Sequence, residues 1–397
     1  MTHAPARTLA RRAAGLGTTV FSDLTELAVR TGAINLGQGS PEADGPPAVL
    51  EAARRALFNG ANQYPPLNGT PALRRALAQQ RLRRYGVPCD EDTGIVVTTG
   101  ATEAVTAAVL GLCDPGDEII VFDPAYDVYT AAARLAGAGC RRVPLLPGGD
   151  GFRYDPDALR AAVTRSTRLL LLNTPHNPTG KVFTRGELAD IAAVCQEYDL
   201  VAVVDEVYEY LVYGDRYHLP LTAVDGMADR TLCVSSAGKT LNLTGWKVGW
   251  ACGPAHLVDA VRAVKQYTTF ASAAPLQDAV AWGLTHQDAW VAAQRSALAA
   301  NRDALSAGLR TAGLAVLPAE GGYFLQADAA RAGHADASEY CRRLAHECGV
   351  VAIPTRVFAE DPSPYASLVR FAFCKSPRTI SQAVGRLARS GSARPRG

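Results

Sequence analysis

Five short, nearly uninterrupted apolar runs punctuate this chain: IVVTTG (95–100), GDEIIVFDP (116–124), TRLLLLN (167–173), LVAVVDEVY (200–208) and RTLCVSS (230–236). A strand with one wet face alternates polar and apolar residues. Runs without that alternation suit a sheet covered on both faces. Helix-spaced stretches lie between or beside them, among them ATEAVTAAVLGLC (101–113) and GELADIAAVCQEY (186–198). Two more amphipathic helices precede the first run, PPAVLEAARRALF (46–58) and PALRRALAQQRLRRYG (71–86). Repeated strand-then-helix order specifies an α/β fold with a mainly parallel, doubly wound sheet.

The texture changes after about residue 287. A long helical stretch (288–310) leads to strand-like GGYFLQAD, a helix ASEYCRRLAHEC and the strand LVRFAF. This pattern reads as a smaller α+β unit. Three regions are expected: 1–45 as an N-terminal arm and part of the small domain, 46–287 as a large domain, and 288–397 as the C-terminal small domain. The tail SGSARPRG (390–397) is expected to fray.

With 48% hydrophobic and 20% charged residues, the 397-residue chain is of ordinary globular composition and can bury a sizeable core. A net charge of +2 gives no reason to expect nucleic acid or a membrane surface as a partner. Nine scattered cysteines without a CxxC pair support neither a zinc site nor a disulfide framework, so no metal is expected. Reduced thiols in a cytoplasmic protein are the simplest account. Arg7, Arg11 and Arg12 are followed by no long apolar run, so neither a signal peptide nor a membrane span is expected.

In open α/β sheets ligands gather beyond the C-terminal ends of the strands. Four polar clusters follow the apolar runs: Gly100-Ala101-Thr102, the turn NTPHNPTG (173–180), Asp205 to Tyr208, and Ser235 to Lys239. The chain has only five lysines, and Lys239 lies in SSAGKTLNLTGWKVGW (235–250). A lysine just past an apolar strand, among small and hydroxyl residues, suits a Schiff base with an aldehyde cofactor. Ser236 and Lys247 would hold a phosphate nearby, and the strand-to-helix junction at Gly100-Ala101-Thr102 offers backbone N–H groups to it. Lys247 is equally readable as a surface lysine. Asp205 suits either a helix cap or a carboxylate that keeps a ring nitrogen protonated. Tyr208 reads as a packing tyrosine or as a donor to a ring oxygen, and Asn177 as a turn residue or a second such donor. His176 reads as a local hydrogen-bond partner. Arg370, inside the strand LVRFAF, either faces solvent or grips a substrate carboxylate with its planar fork.

Taken together these segments resemble fold-type I pyridoxal-phosphate (PLP) enzymes, specifically class I/II aminotransferases. The resemblance runs from INLGQGSP to VRFAFCKS and rests on NTPHNPTGKVF, VVDEVYEYLVY and SSAGKTLNLTGWKVGW in that order. Within the family the chain is similar to the kynurenine/glutamine and N-succinyldiaminopimelate aminotransferase subgroup, notably in NQYPP and TGWKVGWACGPA. The resemblance implies a large PLP-binding domain and a small domain built from both chain ends. It also implies roles. Lys239 would carry the Schiff base and later move the substrate proton, and Asp205 would pair with the pyridine nitrogen. Asn177 and Tyr208 would contact the ring oxygen, and Tyr126 would stack on the ring. Gly100, Ala101, Thr102, Ser236 and Lys247 would line the phosphate site. Tyr64 would reach the phosphate of a neighbouring subunit, implying a homodimer with shared active sites. Arg370 would bind the substrate α-carboxylate, with Gly37 and Asn177 nearby.

Two positions depart from the pattern. Ser40 stands where the kynurenine type carries an aromatic residue, and Arg356 where it carries a small one. Both are expected to border the substrate side chain. Arg356 is readable as a contact to a polar or anionic substrate group or as a surface salt bridge. The expected reaction is ping-pong transfer of an amino group from an L-amino acid to a 2-oxo acid. The alternatives are a C–S lyase or a decarboxylating oxidative deaminase acting on a cysteine S-conjugate, and a PLP-fold sensor without catalysis.

Overall fold

The computed structural model describes residues 9–14, 16–17 and 20–392. After a helix at Val20–Thr31, strand β1 (Ile34–Asn35) leads into the large unit. Eight strands form its sheet: β2 (Ile95–Thr99), β3 (Glu118–Asp123), β4 (Gly139–Gly148), β5 (Gly151–Tyr154), β6 (Thr167–Asn173), β7 (Val201–Asp205), β8 (Thr231–Ser236) and β9 (Val248–Cys252). Their order is β2-β9-β8-β7-β6-β3-β4-β5. The five central strands β8, β7, β6, β3 and β4 run parallel. Strand β9 is antiparallel to both neighbours, and β5 folds back on β4. The mainly parallel sheet therefore stands, with two antiparallel insertions.

Successive residues of the apolar runs feed opposite faces. Leu169, Leu171 and Val203 pack into one cluster with Ala104, Ala108 and Val258. Leu170, Leu172 and Val204 pack into another with Leu188 and Ile191. Each fully buried apolar side chain contributes about 1.5–3 kcal/mol, so a run of four consecutive leucines fixes β6 at the centre of the sheet. The helix Arg185–Glu197 starts with a capping box in which Thr184 and Glu187 satisfy each other's backbone N–H groups.

The helix Asp288–Thr311 bridges two cores. Val291 packs with Val49 and Trp250 of the large unit, whereas Leu298, Leu305 and Leu309 pack with Phe371 and Leu387. Beyond it come β10 (Ala315–Val316), β11 (Phe324–Asp328), β12 (Val350–Val351), β13 (Ile353–Pro354) and β14 (Leu368–Ala372). Four of these form the sheet β10-β11-β14-β13, while β12 pairs in parallel with β1. The N-terminal segment thus packs on the C-terminal unit. The last helix, Pro377–Ser392, extends into the tail expected to fray, and residues 393–397 lie outside the described residues, as does Arg7.

A buried charged cluster lies behind the ends of β7 and β8. Arg81 reaches Glu206 at 3.4 Å, and His218 Nε2 lies 3.3 Å from the same carboxylate. Glu209 accepts from the Ser235 hydroxyl at 2.8 Å and from the Tyr85 hydroxyl. Glu206, Glu209 and His218 are close enough to share a metal ion. Three of the four carboxylate oxygens accept hydrogen bonds from these groups and the fourth, Glu206 Oε1, faces His218, so the cluster reads as an internal ion network.

Candidate active site

Strands β2, β6, β7 and β8 deliver Gly100, Asn173, Asp205 and Ser236 to one edge of the sheet, where they line a cavity of about 480 Å³. The fold explains the convergence: strands that run parallel end on the same side, and their polar end residues meet there. Ala101, Thr102, Tyr126, Asn177, Tyr208, Lys239 and Lys247 line the same cavity. Ser40 enters from the N-terminal segment and Arg370 from β14.

Asp205 is fully enclosed. Tyr129 donates its hydroxyl to Asp205 Oδ2 at 2.9 Å, and the Val207 N–H donates to Oδ1 at 3.2 Å. Burial nevertheless pushes the carboxyl up to about 6, since a lone anion there has lost its water. A cation beside it would reverse that shift. Burial likewise pushes the Lys239 ammonium down, which frees its amine more readily. Lys239 Nζ donates to the Tyr323 hydroxyl at 2.6 Å.

Asn177 is tied on both sides. Its N–H donates to Asn173 Oδ1 at 2.7 Å, and its Oδ1 accepts from Arg370 Nη1 at 2.9 Å. The second prong of Arg370 donates to the Gly37 carbonyl at 2.8 Å. Arg370 is 0% exposed and lies between the rings of Phe324 and Phe358, 4.1 and 4.7 Å from their centroids. Burial brings its guanidinium down to about 10, so it stays charged at neutral pH. A buried, oriented cation at a cavity wall is a receptor for a carboxylate.

The phosphate end is shaped by close approach. Gly100 has φ +77°, and a Cβ there would meet Lys247 Nζ at 2.9 Å. The helix Gly100–Leu112 starts at this point, and Thr99 makes no side-chain cap, so the first N–H groups are left for an anion. Ser236 and Lys247 add a hydroxyl and a cation. Amine, enclosed carboxylate and anion cradle all line one cavity, so the residues present fit PLP.

Three expected residues stand apart. Gly37 contributes only its carbonyl to Arg370. Tyr64 is 84% exposed and meets Phe270 edge-on, with ring centroids 5.5 Å apart. Arg356 is absent from the cavity lining. Its Nη1 pairs with Asp336 at 3.3 Å, because the short helical turn Thr355–Phe358 directs it toward the start of the helix Ala337–Arg343. Of the two readings of Arg356, this geometry matches the surface salt bridge. His176 is buried against Thr179 Oγ1 at 2.8 Å and held neutral, with its imidazole lowered to about 3. Sequence reasoning missed Tyr129, Gln38, Gly39, Tyr323 and Phe324, all of which line the cavity. Tyr129 is one helical turn beyond Tyr126 in YDVY, and that spacing was its available signal. The doublet Tyr323-Phe324 reads as ordinary core aromatics in a strand.

Fold and site together define a fold-type I PLP-dependent enzyme. Residues 31–387 match the family described as Aminotransferase class I and II, and the chain belongs to that family. It is 51% identical over 379 residues to a probable N-succinyldiaminopimelate aminotransferase, DapC, of Mycobacterium tuberculosis, covering 94% of this chain and 96% of that protein. It is 40% identical over 372 residues to the methionine aminotransferase of Escherichia coli, at 94% and 96% coverage. The solved structure of the M. tuberculosis N-succinyldiaminopimelate aminotransferase superposes with a TM-score of 0.94 at 50% identity, covering 96% of this chain and 99% of that one. This protein is thus a PLP-dependent enzyme that transfers amino groups. The relatives named here are all aminotransferases, and none supports β-elimination or oxidative deamination.

Proposed function

We propose that Lys239 anchors the cofactor and then carries the proton of the substrate's Cα in a two-stage transamination. When bound, PLP supplies a reactive aldehyde carbon and a ring that takes up an electron pair from Cα. Asp205 would pair with the ring nitrogen and favour its charged form, while Tyr129 and the Val207 N–H hold the carboxylate in place. Tyr208 and the side-chain amide of Asn177 would donate to the ring oxygen. Gly100, Ala101, Thr102, Ser236 and Lys247 would hold the phosphate, and Tyr126 would stack on the ring. Arg370 takes the α-carboxylate of the amino donor, and in the second stage that of the 2-oxo acid. One cavity therefore serves both substrates in turn.

The observation that carries this reading is convergence. Lys239, Asp205 and Arg370 come from three separate segments, yet all line one cavity. The reading includes a homodimer in which Tyr64 enters the neighbouring cavity, supported by the exposure of Tyr64 on its own subunit. It also includes a cytoplasmic location, supported by nine cysteines that form no disulfide. No helix among the described residues is long and apolar enough to cross a membrane. For the amino donor, an N-acylated diamino dicarboxylate of the N-succinyldiaminopimelate type is the first choice, supported by the 51% identity to DapC. The test is a panel of that compound, methionine, kynurenine and glutamate with 2-oxo acid acceptors, following formation of the new amino acid. Amino transfer that requires the acceptor is expected. A cysteine S-conjugate is included as a control, and release of pyruvate, ammonia and the thiol from it without an acceptor would replace transfer with elimination.

A further inference from the structure

We propose that Tyr323 is a positioning residue whose hydroxyl orients the freed amine of Lys239 toward the substrate's Cα. This rests on the reading of Lys239 as the proton carrier.

Tyr323 immediately precedes β11 and is buried. Its hydroxyl makes two hydrogen bonds of opposite sense. It donates to the Gly39 carbonyl at 2.7 Å and accepts from Lys239 Nζ at 2.6 Å. A phenol has one proton and two lone pairs. With the proton committed to Gly39, only lone pairs are left to face the lysine, so Tyr323 acts toward it purely as an acceptor. Burial pushes the phenol well above its usual range, and it stays protonated throughout the working pH range.

An amine with one N–H tied to a fixed oxygen can no longer rotate freely. Its lone pair sweeps only the remaining sector, which faces the cavity. The ring that carries the oxygen is itself fixed. Tyr208 meets it edge-on at 5.1 Å between centroids and Phe324 at 4.9 Å. Gly39 supplies independent support. A Cβ at that position would sit 2.6 Å from Phe324 Cζ and 2.8 Å from Tyr323 Cε2. Only a glycine lets the segment approach closely enough for its carbonyl to receive the hydroxyl. Phenylalanine would fill the same space with the same packing, so the hydroxyl is present for its two hydrogen bonds.

The test is Tyr323→Phe, read three ways. In the PLP-loaded enzyme, kcat and the exchange of the substrate Cα hydrogen with deuterated solvent should both fall ten- to a hundredfold, on the order expected for losing a hydrogen bond to a charged group. KM for the amino acid, set by Arg370, should change by less than about threefold, since the carboxylate contact is untouched. In the apoprotein, labelling of Lys239 with trace acetic anhydride across pH, quantified by peptide mass spectrometry, should show greater reactivity at neutral pH. The ammonium loses an acceptor there and deprotonates more easily. A structural defect would lower labelling and turnover together, whereas the proposal moves them in opposite directions. Unchanged kcat and exchange, or a joint fall with reduced thermal stability, would overturn it. If Tyr323→Phe folds poorly, replacing Tyr323 by 3-fluorotyrosine keeps ring and hydroxyl and weakens the oxygen as an acceptor. A graded loss of exchange is expected, and none would count against the proposal. Failure of the underlying reading is separable, since Lys239→Ala would then retain exchange.

Discussion

Tyr129 donates its hydroxyl to Asp205 Oδ2 at 2.9 Å, from the helix Asp127–Ala136 to the last residue of β7. The bond opposes the burial that drives this carboxyl up to about 6. Removing it by Tyr129→Phe leaves the carboxylate with only the Val207 N–H. Asp205 then stays protonated to higher pH. Because a cationic ring needs the ionised form, PLP affinity should weaken as pH falls through about 6 in the native protein, and from a higher pH in the variant. The loss for a charge-assisted bond is about 1.5–3 kcal/mol. Titration of the apoprotein with PLP between pH 5 and 8 measures both effects.

Arg370→Lys tests the carboxylate receptor. Lysine keeps the charge but cannot reach Asn177 Oδ1 and the Gly37 carbonyl together while presenting a fork. A loss of about 2–5 kcal/mol in kcat/KM is expected, with PLP affinity unchanged. Steady-state kinetics alongside a PLP titration separate the two.

Gly100→Ala combines a left-handed backbone with a Cβ 2.9 Å from Lys247 Nζ. Strain of about 1–3 kcal/mol is expected, and Lys247 must withdraw from the phosphate site. Affinity for pyridoxal 5'-phosphate should fall, whereas affinity for pyridoxal, which lacks the phosphate, should hardly change. Equilibrium dialysis with both compounds checks this.

Arg356→Ala should leave kcat/KM on every accepted substrate unchanged. It should cost at most about 1 kcal/mol of stability, the value of a partly exposed ion pair. Arg81→Met behaves oppositely, because it strands Glu206 in the interior. A loss of about 3–5 kcal/mol in unfolding free energy is expected, measured by urea titration.

The sequence made the central parallel strands legible because a sheet buried on both faces leaves unbroken apolar runs. It hid β4, which carries Arg141, Arg142, Pro144 and Pro147, and β9, a five-residue strand inside the segment read for its site residues. Residues at strand ends, such as Asp205 and Ser236, were readable because the fold dictates where strand ends meet. Tyr323 was not, and Tyr129 carried only its spacing from Tyr126, since their hydroxyls act through Asp205, Lys239 and Gly39, which lie 76, 84 and 284 residues away. The two readings of Arg356 could not be separated for a related reason. Its neighbourhood is set by Asp336, which no local pattern links to it.

The central claim is that Lys239 carries the cofactor. Reduction of the PLP-loaded protein with borohydride, followed by peptide mass mapping, tests it directly. A phosphopyridoxyl group on Lys239, and on none of Lys181, Lys247, Lys265 or Lys375, is the expected result. An unmodified Lys239 in protein that holds PLP would contradict the account.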